Sequence, residues 1–112
     1  MLYSTNYYLK DLKDIEEKNY FCLLYLMEVV KRCSNLTTDD EVLNAFKPKL
    51  AMLKGCSFLY ATSHMQRTIV DLAVIFNFEI DWEKFFAIDM KQLRKDINVK
   101  FYNIFYKNVN KN

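Results

Sequence analysis

A single glycine and a single proline in 112 residues leave this chain few places for the tight turns that sandwiches, barrels and phosphate-cradling loops need in quantity. The shortage points to helices. A chain of this length is long enough for one packed core and too short for two. With 52% hydrophobic and 27% charged residues it has the make-up of an ordinary globular protein, neither disordered nor membrane-embedded. The expected fold is all-α: a compact bundle of five to six helices, a single domain over residues 1–112, with a long C-terminal helix.

Hydrophobic spacing places the helices. Tyr8, Leu12 and Ile15 recur at four and three with charges between them, so residues 7–18 read as an amphipathic first helix. From Tyr20 to Val30 apolar residues occupy nearly every position, and the segment 19–34 therefore has no polar face to offer water along that length. It is the expected central helix. Thr38 with Glu41 three places on forms a capping box, starting a short third helix that must break near Pro48. A fourth, well-buried helix is expected from Pro48 to about Tyr60, using Leu50, Leu53, Met52, Cys56 and Leu59. Ser63 and Gln66 repeat the capping box ahead of a fifth helix carrying Met65, Ile69, Leu72 and Phe76, with Asn77 as its stop. Asp81 then caps a last helix of about 25 residues in which Trp82, Phe86, Met90, Leu93, Ile97, Phe101 and Ile104 form one seam. Such a seam packs along a bundle or pairs with a second chain as a coiled coil.

Several function classes fall away. No basic start with an apolar stretch and small-residue cleavage site opens the chain, so an intracellular protein is expected. The longest apolar run is about half of the roughly 20 residues needed to cross a bilayer, and no membrane partner is expected. Cys22, Cys33 and Cys56 are odd in number and widely spaced, which suits buried thiols in a reducing compartment better than disulfides or zinc. Charge is uneven despite a net +2: residues 1–46 hold five basic and eight acidic side chains, residues 91–112 six basic and one acidic. The last segment carries a basic patch, Lys91, Arg94, Lys95, Lys100, Lys107 and Lys111.

A search for chemistry gives no enzyme, no metal site and no cofactor. His64 is the only histidine and has no Cys or His at metal spacing. A Cys–His couple would have to be assembled by folding, from His64 with Cys22 or Cys56. Asp39, Asp40 and Glu41 are carboxylates in a helix's first turn, where the helix dipole favours them. The Lys47-Pro48-Lys49 corner could join a helix-turn-helix, but residues 50–60 present Leu, Met, Phe and Tyr, with Lys54 the one side chain suited to base edges.

One resemblance adds to this. Cys22-Leu23-Leu24-Tyr25-Leu26-Met27-Glu28, Leu36-Thr37, Leu53-Lys54 and Phe101-Tyr102-Asn103-Ile104-Phe105 come in an order that resembles the integrase-binding domain of lens-epithelium-derived growth factor and its hepatoma-derived-growth-factor relatives. That family is related to the amino-terminal domain of elongation factor TFIIS. The resemblance covers roughly residues 12–60 and 93–106 and implies a nuclear adaptor whose inter-helix loops grip short, disordered, acidic segments bearing an aromatic residue. Asp14, Glu16, Lys54, Leu59 and Ala61 are the partner-binding residues it implies. The basic stretch that follows the Leu-Lys pair in that family is replaced here by Gly55-Cys56-Ser57-Phe58-Leu59-Tyr60-Ala61, and the segment 62–90 is longer than the family's connection.

The expected function is a non-enzymatic helical protein-interaction module that holds a short disordered or helical segment of a protein partner. Two alternatives stand beside it. One is a nucleic-acid-associated protein using the basic C-terminal helix, with binding that weakens steeply with salt. The other is a small viral-type helical bundle that grips a partner's amphipathic helix in an apolar groove.

Overall fold

Nine consecutive residues, Cys22 to Val30, are buried, and a helix can bury all its sides only by running through the middle of a bundle. The computed structural model, which describes residues 17–53 and 58–103, puts that helix there. Helix α1 (Glu17–Cys33) is packed by α2 (Asp39–Phe46), α3 (Phe58–Ser63), α5 (Trp82–Phe86) and α6 (Met90–Tyr102), while α4 (Met65–Phe76) continues from α3. The six helices form an all-α bundle. No boundary falls between Lys18 and Asn19, where two helices were expected to meet; Glu17 and Lys18 already belong to α1, and nothing in Glu-Lys-Asn-Tyr breaks a helix. The rest of the expected first helix lies outside the described residues.

The start of α2 follows the sequence rule. Thr38 accepts from the Glu41 amide at 3.1 Å, and its hydroxyl donates to the Glu41 carboxylate at 3.0 Å. Val42, Leu43 and Phe46 go into the core, and Phe46 stacks on Phe76 with ring centroids 4.2 Å apart.

Beyond Phe46 the expected fourth helix does not form as one piece. Lys47–Leu53 is a 3-10 segment interrupted at Lys49 (φ −127°, ψ 27°), and the next described α-helix is Phe58–Ser63. Pro48 supplies the reason, since it lacks an amide and its ring crowds the turn before it. Burial is correspondingly uneven. Leu53 is buried, but Met52 and Leu59 are exposed.

The Ser63 capping box is also absent. Ser63 is the last residue of α3, and His64 occupies the N-cap of α4 without a side-chain cap. The chain kinks at His64 (φ −127°, ψ 45°), with the His64 amide donating to the Tyr60 carbonyl and the Thr68 amide to the His64 carbonyl. Ser63 is thereby drawn into the end of α3, one residue short of the N-cap place that His64 takes. Asn77 does stop α4, in the left-handed region (φ 58°, ψ 60°). Its amide and that of Phe78 both return to the Ala73 carbonyl.

Residues 78–81 then run extended across the end of α1. Ser34 and Ile80 pair in an isolated antiparallel bridge, Asn35 and Glu79 exchange hydrogen bonds, and the Asp81 amide donates to the Cys33 carbonyl at 2.7 Å. This clasp satisfies the Cys33 carbonyl, which the helix end would leave open.

The long last helix is two helices. Asp81 caps α5 as expected, but the Asp89 carboxylate accepts from the Lys91 and Gln92 amides and begins α6 anew. A short polar side chain that bonds nearby amides competes with helix continuation. The break changes which ring is inside: Phe85 is 6% exposed and Phe86, a member of the expected seam, is 67% exposed. Leu93 and Ile97 keep their places in the core.

Candidate functional site

Two features of the bundle surface carry chemistry, and α6 contributes to both. The first is an ion cluster where α1, α2 and α6 meet. Glu28, buried on α1, is 3.1 Å from Lys31 and 2.9 Å from Arg32, with Lys100 of α6 at 3.8 Å. Asp39, in the first turn of α2, receives Lys31 at 3.1 Å and Lys100 at 3.3 Å. Arg32 also reaches Asp96 at 3.0 Å.

These pairings move protonation equilibria. Burial pushes the Asp39 carboxyl up, but the charge of Lys100 and the hydrogen bond from Lys31 outweigh it and hold the group below the usual carboxylate range. For Lys31 burial works downward, and bonds to Glu28 and Asp39 reverse it to a net rise. Asp96 is held low by hydrogen bonds from Gln92 and Arg32. The cluster fastens α2 and α6 to α1.

The second feature is a groove of about 500 Å³ between α1, the α3–α4 junction and the start of α6. Its lining is Tyr25, Thr62, Met65, Met90, Lys91, Arg94 and Lys95. Tyr25 donates to the Met90 sulfur at 3.7 Å, joining two walls of the groove. Burial pushes the Tyr25 hydroxyl up, partly opposed by the charge of Arg94. The Arg94 guanidinium lies 5.9 Å from the centre of the Phe21 ring, within cation–π range. Apolar and thioether groups make the floor, three cations make the rim, and among the described residues no carboxylate lines it.

Those of the sequence-implied residues that are described have different surroundings. Leu59 is 76% exposed on α3, whereas Ala61, two residues on and so on the opposite side of the helix, is 2% exposed. Ala61 lines a smaller cleft of about 220 Å³ with Leu26, Met52, Leu53, Tyr60, Thr68, Asp71 and Leu72. Asp14, Glu16 and Lys54 lie outside the described residues. Of the basic patch, Lys91, Arg94 and Lys95 line the groove, Lys100 belongs to the ion cluster, and Lys107 and Lys111 lie outside the described residues.

His64 is exposed at the α3–α4 kink against the Tyr60 ring, while Cys22 and Cys33 are wholly buried and Cys56 lies outside the described residues. Burial, with the nearby Asp81 charge, pushes the Cys33 thiol up to about 11. Among the described residues no group of three His, Cys, Asp or Glu could hold a metal ion, and no helix is long and apolar enough to cross a membrane.

The groove floor escaped the sequence reading because Tyr25, Met65 and Met90 are far apart in the chain. A signal for one wall was present. Asp89 and Gln92 are spaced as an N-cap pair, which places a helix start beside Lys91. Comparison with models of known families, with curated proteins and with solved structures gives no match to this chain.

Proposed function

We propose that the chain is a non-enzymatic interaction module, and that the groove between α1, α3–α4 and α6 takes up a short acidic, aromatic-containing segment of a partner protein. The observation that carries this reading is the groove's composition: Tyr25, Met65 and Met90 below, Lys91, Arg94 and Lys95 around the edge. Methionine side chains adapt to varied shapes and favour contact with aromatic rings. A volume of about 500 Å³ lies within the range of sites that enclose small ligands, enough for one or two side chains of a peptide. A segment disordered before binding would supply its carboxylates to the rim and its ring to the floor. In the setting that the family resemblance implies, the module is a nuclear adaptor.

Titration with a labelled peptide of alternating Glu and Phe tests this. Saturable binding is expected, weakening with salt, lost when Gln replaces Glu, and lost in the chain carrying Lys91→Glu and Lys95→Glu. Tighter binding of a single-stranded RNA or DNA oligomer, with the steep salt slope of phosphate neutralisation, would replace this reading by the nucleic-acid alternative. That alternative has a shorter basic surface than the sequence suggests, because Lys100 faces Asp39.

A further inference from the structure

We propose that the outer face of α4 is a self-association surface, on which a second copy of this chain docks antiparallel about a two-fold axis. Val70 and Val74 stand four residues apart on that face, 41% and 79% exposed. Valine is only a moderate helix former, so the stability of α4 alone gives no reason to place two of them in water. Arg67 and Asp71 share the face with them. At 3.6 residues per turn all four side chains leave the helix within about 100° of one another. Both charged residues are exposed, and among the described residues neither forms an ion pair. They stand four apart with the base first, the less favourable order for pairing along one helix. Their charges are therefore open to a partner.

A face with two apolar side chains and one charge of each sign is complementary to itself turned end for end, which is what a two-fold contact requires. With the axis at Val70 and Asp71, position 67 of one copy lies opposite position 74 of the other. Asp71 of the second copy then lies about 4.5 Å along the axis from Arg67, within reach of the guanidinium, and symmetry makes the pair twice. A shallow depression of about 630 Å³ runs beside the face from Ser63 to Asp71, with Met65 and Val70 in its lining. The same register sets Val74 of the second copy over it. The seam expected to join chains through the last helix is used inside the bundle instead, where Leu93 and Ile97 are buried. A helix of 12 residues is about 18 Å long, so the contact is at the small end of specific interfaces and the dimer is weak and reversible.

Sedimentation equilibrium of the full chain over a concentration series tests this. The average mass is expected to rise from one chain toward two, with a dissociation constant of about 10 µM to 1 mM. Val74→Glu, at an exposed position, should weaken the dimer at least about tenfold, because each copy would carry an acid into an apolar contact. The charge pair gives the sharper test. Arg67→Asp leaves the face wholly acidic and Asp71→Arg leaves it wholly basic, so each variant alone should stay monomeric and an equal mixture of the two should dimerise. Circular dichroism checks that every variant is folded. A native chain that stays monomeric at about 1 mM overturns the proposal. So does a dimer that Val74→Glu leaves intact, or a mixture of the two charge variants that associates no better than either alone.

Discussion

The two halves of α6 carry similar side chains into different surroundings. In its first turns Lys91, Arg94 and Lys95 border a groove lined by no carboxylate among the described residues; further on, Lys100 meets Asp39 and Glu28, and Asp96 meets Arg32. Counted along the sequence these residues form one basic patch. In the fold Lys100 and Asp96 fall where charge is matched between helices, whereas Lys91 and Lys95 form no ion pair among the described residues. The lesson is that a lysine's role depends on which carboxylates the other helices bring to it. Charge matched internally contributes to stability, and charge left unmatched is available to a partner.

Substitutions should separate the two regions by which property they change. The largest effect is expected from Glu28→Ala, which leaves Lys31, Arg32 and Lys100 without their shared buried carboxylate. Because these cations are partly exposed and keep Asp39 or Asp96, the cost is about 2 kcal/mol, read as a lower midpoint in urea unfolding. Peptide affinity of the folded fraction should hold, because the groove is lined by other residues.

Asp39→Asn should cost less, about 1–2 kcal/mol after allowance for its partial exposure. It also has a pH signature. The folded Asp39 carboxyl lies below its ordinary value, so its contribution is complete above pH about 4 and disappears as pH falls through the depressed folded value. The native chain should therefore lose stability on acidification below pH about 4 more steeply than the Asp39→Asn chain. Parallel acid limbs in the two would show that Asp39 is not linked to folding.

A direct exchange of roles is expected between neighbours on α6. Lys100→Gln should lower stability by up to about 1 kcal/mol and leave peptide binding unchanged. Lys91→Gln with Lys95→Gln should change stability by no more than about 0.5 kcal/mol and weaken binding of an acidic peptide. If all three lysines behave alike in both assays, the division of α6 fails.

The smallest effect concerns reactivity at the end of α1. With its thiol raised to about 11 and no exposed surface, Cys33 should react with iodoacetamide at pH 8 only as fast as the bundle opens. Glu28→Ala should accelerate that labelling, and substitutions on the groove rim should not.

Much of the helix plan could be read in advance. The apolar run around Cys22–Val30 marked the central helix, Thr38 and Asp81 marked helix starts, and Asn77 marked a stop, because local apolar density and capping chemistry need no knowledge of the partner helix. Periodicity was less dependable where a local hydrogen bond competed with it. The seam through Phe86 suggested one long helix, but Asp89 restarts the chain and Phe85 takes the inside position. Ser63 has capping chemistry as well, yet it ends α3 and His64, whose amide returns to the Tyr60 carbonyl, takes the N-cap place.

The sequence by itself determined that this chain is helical, where its most apolar helix must lie, and that its basic residues collect toward the end. Each follows from short-range rules: turn residues are scarce, apolar side chains leave water, and local amides need acceptors. Only the tertiary structure decided that Tyr25, Met65 and Met90 share one groove and that Lys100 faces Asp39 while Lys91 and Lys95 do not. Those outcomes depend on distances between helices remote in sequence, and the energy of a charge is set by the neighbour that packing places a few ångströms away.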